Sequence, residues 1–201
     1  MALGRTSFLE AVNRVLQMLG EAPVSSLQGQ FGLAKQAEKA LNDASRTLQA
    51  EGWSFNTDLE KKLERNSANE IELASNVSRV VVDVLDYPDI DVVQRGDKLY
   101  DRRNNRYTFD SDLIVDITSI LEWDLLPEHA RQYINIKAGR QLQESIIGSA
   151  DLTKLNLTLE LEARSHFFEE ETSKTEHSML RGNPNHTSAI NTYLPSRVLE
   201  R

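Results

Sequence analysis

The chain of 201 residues is 39% hydrophobic with a formal net charge of −8, enough apolar material for a core and too acidic to grip nucleic acid along its whole surface. It contains no cysteine, which excludes disulfides and thiolate chemistry and points to a reducing compartment. The N-terminal MALGRTSFLEAVNRVLQML lacks the apolar run of a secretory leader and no stretch is long enough for a membrane span, so neither is expected, and the sequons at 76–78, 156–158 and 185–187 have no consequence.

Ser7 and Glu10 stand at capping-box spacing, and Phe8, Leu9, Val12, Val15, Leu16 and Leu19 form one stripe, which predicts an amphipathic helix over 7–19. In the following GEAPVSSLQG, Gly20 can close that helix in a left-handed cap, Pro23 cannot continue it, and Ser25 and Ser26 offer capping hydroxyls. This stretch reads as a stiff connector. Leu33, Ala37, Ala40, Leu41, Ala44 and Leu48 then predict a second helix, antiparallel to the first, ending at Gly52.

From Trp53 to about Asp124 the period shortens, and VVVDVL (80–85), DVVQRGDKLYD (91–101) and LIVDITSIL (113–121) read as strands of a β-rich insertion. Arg95-Gly96-Asp97-Lys98 reads as a tight hairpin, and Asn104-Asn105 and Tyr87-Pro88-Asp89 as further turns. The acid of the chain concentrates here, sixteen acidic against nine basic residues over 53–125. Trp53 and Phe55, placed in GWSFN directly after the helix-stopping glycine, are expected to anchor the junction between the helical pair and the insertion.

Helical spacing returns after Pro127 with Ala130, Ile134, Ala138, Leu142 and Ile146, up to Gly148. A fourth helix is expected over about 151–178 with two apolar stripes. Leu152, Leu155, Leu159, Ala163 and Phe167 make one, while Leu157, Leu161 and Phe168 make a second that is surplus to a small bundle and marks a subunit interface. Residues 181–201 contain Pro184 and Pro195 and no sustained period. They read as an extended arm that orders on a partner, with Ile190, Tyr193, Leu194, Val198 and Leu199 as anchors. The fold class is therefore α+β: an antiparallel bundle of about four helices (1–52 and 126–180), an inserted small β-rich domain (53–125) and an extended C-terminal tail (181–201).

Chemistry-bearing constellations are weak. His129, His166, His177 and His186 lie far apart without nucleophile partners, and no glycine-rich phosphate loop occurs. Asp83, Asp86, Asp89 and Asp91 lack the glycine and terminal glutamate of a calcium loop, and His166 with Glu169 and Glu170 reads as a solvated helix face. No catalytic, metal or cofactor-binding residue is assigned, and no cofactor is expected. Lys98, Arg102, Arg103 and Arg106 with Tyr100 and Tyr107 form the one basic and aromatic cluster, suited either to nucleic acid or to shielding an edge strand.

Taken in order, GEAPVSSL (20–27), GWSFN (52–56), LYDRRNNRYTFDS (99–111) and LPEHARQYINIKAGRQ (126–141) resemble the tail tubular protein A family of short-tailed bacteriophages. That resemblance implies a structural, non-enzymatic head-to-tail adaptor in the virion tail, assembled in the host cytoplasm. The family's ring is twelve-fold and sits between the portal protein and the tail nozzle protein, tail tubular protein B, with tail fibres as a further contact and viral DNA passing through the channel without sequence-specific binding. The connector at 20–29 then serves as a stiff joint within each ring subunit, and acidic stretches of the lumen repel phosphates, while the basic hairpin over 98–107 is not assigned to a fibre, the nozzle or DNA. The competing readings are a virion-associated hydrolase with a carboxylate pair on the β insertion and a soluble assembly chaperone.

Overall fold

The computed structural model describes residues 4–29, 31–83 and 85–174. In chain order these form α1 (Phe8–Met18), α2 (Leu33–Ala50), β1 (Thr57–Leu63), β2 (Val77–Val82), β3 (Val92–Arg95), β4 (Lys98–Asp101), β5 (Leu113–Ser119), α3 (Glu128–Ile146) and α4 (Ala150–Lys174). The architecture is α+β, four helices with small antiparallel sheets between the second and third. Residues 181–201, expected as an extended arm, lie outside the described residues.

The capping box forms at α1: the Glu10 amide donates to Ser7 Oγ at 3.2 Å and the Ser7 amide donates to Glu10 Oε2 at 2.8 Å. At its other end Gly20 takes φ +79°, the Gly20 amide donates to Gln17 O and the Glu21 amide to Leu16 O, a Schellman closure that only a residue at ease with positive φ makes cheaply. Beyond it Asn13 clips the connector back onto α1, accepting from the Val24 amide at 2.8 Å and donating to the Val24 carbonyl at 3.0 Å.

Helix α3 packs against α1, α2 and α4. Val12, Val15 and Leu16 of α1, Leu41 and Leu48 of α2, and Tyr133 and Ile134 of α3 join one apolar core, with Phe167 the fully buried contribution of α4. Small residues bring the helices close: a Cβ added at Gly139 would lie 2.3 Å from Met18 Sδ. Two expectations shift slightly. Pro127 stands one residue before the helix as its cap, and Ile146 is 43% exposed because the last turn of α3 outruns the core.

The larger sheet has the order β1-β5-β2, and β3 pairs with β4 in a hairpin whose turn, Gly96 at φ +66°, joins Arg95 to Lys98. Ile71, Leu99, Phe109, Leu113, Val115 and Ile117 fill a second apolar core beneath them. Strand β1, TDLEKKL, was not foreseen in the sequence. It is an edge strand exposed along most of its length, and a register shift between Asp58 and Lys61, with Glu60 at φ +53°, removes any regular alternation.

A polar ladder joins the two cores. Gln49, fully buried near the end of α2, accepts from the Leu121 amide at 2.7 Å and donates to the Leu121 carbonyl at 3.1 Å. Asn56 donates to the carbonyls of Gln49 and Ser119 at 2.8 and 2.9 Å, and its Oδ1 accepts from the Trp53 amide at 2.8 Å.

Candidate assembly surface

Helix α4 is attached to the body by an unusual face. Asn156, Phe167 and Glu171 are buried, with Thr153, Glu160, Ala163 and Arg164 half-buried between them, so positions three and four residues apart form the inward stripe and most of them are polar. Burying such groups is tolerable only when each is paired. Glu160 receives the Arg140 guanidinium, which also reaches Glu144 at 2.9 Å, and Asn156 donates to Gln143 Oε1. Gln143 in turn donates to the Met18 carbonyl at 3.0 Å. Arg164 donates to the Tyr133 hydroxyl at 3.2 Å and approaches Glu51 at 3.6 Å. Burial pushes the Tyr133 phenol above its ordinary value against the opposing pull of Arg164.

At the far end Glu171 accepts from Ser54 Oγ at 2.7 Å and sits 2.7 Å from His129 Nε2, both members of the pair being largely buried. Phe167 stacks on Tyr133 at 5.7 Å and meets Trp53 edge-on at 4.7 Å. Trp53 also touches Phe168 at 5.2 Å and donates its indole N–H to the Leu48 carbonyl at 2.8 Å. Phe55 packs half-buried against the helical core, 6.5 Å from the His129 ring.

This arrangement corrects the expected role of the first leucine stripe. Leu152, Leu155 and Leu159, grouped with Ala163 and Phe167, do not enter the bundle; they are 39%, 59% and 43% exposed because the paired polar residues occupy the inward face. Leu157, Leu161 and Phe168 are also on the surface, at 45%, 60% and 39%. The helix therefore carries one leucine flank on each side of its buried stripe. Ile190, Tyr193, Leu194, Val198 and Leu199, named as arm anchors, lie outside the described residues. Asn156, Glu160 and Glu171 have no hydrophobic signal in the sequence; what marks them is the three- and four-residue recurrence of Thr153, Asn156, Glu160, Ala163, Arg164, Phe167 and Glu171, legible only if polar residues are allowed inside, while Arg140 on α3 has no comparable signal.

The basic and aromatic cluster is internally balanced. Lys98 pairs with Glu70 at 2.6 Å, Arg102 with Asp91 at 2.7 Å and Arg106 with Asp110 at 2.7 Å, and Arg103 lies 3.8 Å from Asp89. Beneath it buried Asp101 gathers the amides of Arg103 and Asn104 and the Asn104 side chain, at 3.0, 3.3 and 2.7 Å, and fixes the turn. A cleft of about 260 Å³ beside β1 contains Asp58 and Glu72, each already engaged, by Lys61 at 2.9 Å and by Asn66 at 2.9 Å. Among the described residues no three His, Asp or Glu converge to hold a metal ion, and no helix is long and apolar enough to cross a membrane.

In comparison with known proteins, the family model described as Tail tubular protein matches residues 9–177. No curated protein matches the chain.

Proposed function

This chain belongs to the tail tubular protein family of phages and is a structural component of the virion tail, and from that premise we propose that it closes into a ring that adapts the portal to the tail nozzle. The observation that carries the reading is the flank formed by Leu157 and Leu161, held outward, and by the face of Phe168 that its packing on Trp53 leaves exposed, on a helix whose inward face is already satisfied. Such a patch on one side of a subunit suits a heterologous contact, which makes a ring when its rotation closes and leaves a channel at the centre. Genome passage through that channel follows from the same geometry, with the acidic chain disfavouring adhesion of phosphates. The division into a helical body (1–52 and 126–180), a β insertion (53–125) and an arm (181–201) belongs to this proposal, the insertion being the part free to meet nozzle or fibres.

The test is assembly. Leu161→Glu is expected to keep the circular dichroism spectrum and melting temperature of the parent while failing to form rings, alone or on purified portal, in electron micrographs. Normal rings from that variant would remove the flank from the interface.

A further inference from the structure

The two flanks of α4 differ in charge. At 100° per residue, Leu155, Leu159, Glu162, His166 and Glu169 follow one another along one side at three- and four-residue spacing, all exposed. The opposite side, with Leu157, Leu161 and Phe168, has Lys154, Ser165 and Thr172 among its neighbours and, among the described residues, no exposed acid. One flank is thus leucine and glutamate, the other leucine and phenylalanine beside a lysine.

We propose that the acidic leucine flank of α4, built on Leu152, Leu155, Leu159, Glu162 and Glu169, is the seat of this chain's own residues 181–201. That segment offers the complementary chemistry: Arg181, Arg197 and Arg201 stand against a single acid, Glu200, and Ile190, Tyr193 and Leu194 supply apolar anchors. Its origin is also right. The described chain stops at Lys174, the C-terminal end of α4, and 27 residues follow. Fully extended they reach about 90 Å, whereas the whole of α4 is about 37 Å long, so the segment can turn back and run along the helix it leaves. Being tethered beside its seat, it competes at a millimolar effective concentration against any separate partner. The inference stands apart from the ring, since it concerns the flank that the proposed subunit contact does not use.

Because the chain has no cysteine, a disulfide trap is clean. Full-length protein carrying Leu155→Cys with Leu194→Cys, oxidised at high dilution, is expected to close within single chains, while Leu161→Cys with Leu194→Cys closes far more slowly. Equal closure of both pairs, no closure, or covalent dimers in place of closed monomers would each overturn the proposal, dimers by assigning the seat to a second copy. Independently, hydrogen exchange over 190–199 in the cysteine-free protein should quicken roughly tenfold when Glu162→Lys and Glu169→Lys are combined, since two exposed charge pairs are lost and reversed. Exchange at the parental rate would overturn the charge complementarity on which the seat depends.

Discussion

Gln49 pairs with Leu121 as one strand residue pairs with another, its side-chain amide giving and taking one hydrogen bond with the Leu121 backbone. The two residues are 72 positions apart, and the pairing ties the end of α2 to the chain leaving β5. Gln49→Leu keeps the volume and strands both backbone groups at a buried site, so a loss of about 2–4 kcal/mol is expected. Chemical denaturation of the variant checks it; a loss under about 1 kcal/mol would mean that solvent reaches the junction.

Trp53 spends its ring on Phe167 and Phe168 and its N–H on Leu48. Trp53→Ala is expected to cost about 3–5 kcal/mol and to loosen the C-terminal half of α4. Thermal melts combined with hydrogen exchange over 163–174 test both parts, and an unchanged melting temperature contradicts the packing.

Arg131 is 3% exposed and donates to three backbone carbonyls, Thr6 at 2.7 Å, Asp124 at 2.9 Å and Leu126 at 3.0 Å. A lysine has no fork to reach all three. Arg131→Lys should therefore destabilise by about 2–3 kcal/mol and release residues 4–6 to early proteolysis, with Leu126 less protected in exchange. Limited trypsinolysis followed by mass spectrometry gives the answer.

Acid sensitivity follows from two carboxylates. Burial works against ionisation of Glu128 and of Asp101, but the Thr6 hydroxyl and amide at Glu128, and Asn104 with the Asp91 and Arg103 amides at Asp101, outweigh it and hold both below their ordinary values. A depressed folded value stabilises the fold above the unfolded value, and the gain disappears as pH falls through the folded one. Stability should thus decline below about pH 5, and Asp101→Asn should lower stability at neutral pH and flatten the acid limb. An acid limb of parental steepness in that variant would show that Asp101 is not a source of it.

The helices were legible because their apolar residues recur at helical spacing and their ends have local signals: Ser7 with Glu10, and Gly20, each act within a few residues. The hairpin at Gly96 was legible for the same reason. Strand β1 was hidden, since an edge strand with a bulge at Glu60 has no regular alternation and only Leu59 and Leu63 as apolar residues. The inward face of α4 was hidden too, because hydrophobicity is no guide to burial there: Asn156, Glu160 and Glu171 are inside through partners on α3 and at Ser54, residues far off in sequence. The surplus of apolar residues on that helix could be read; the side they face could not.

A seam of leucines can slip by one helical turn and still find leucines. The α4 seam cannot, since a slip of about 5.4 Å would set the Arg140 guanidinium opposite Asn156 or Arg164 instead of Glu160 and part Glu171 from both Ser54 and His129. The helix is held in its seat as a key is held in a keyway, and its outward leucines are aimed before anything meets them. Where copies of one chain meet through such a surface, any error of aim is repeated at every joint, so a helix that cannot slide confers on the whole assembly a tolerance no single contact could enforce.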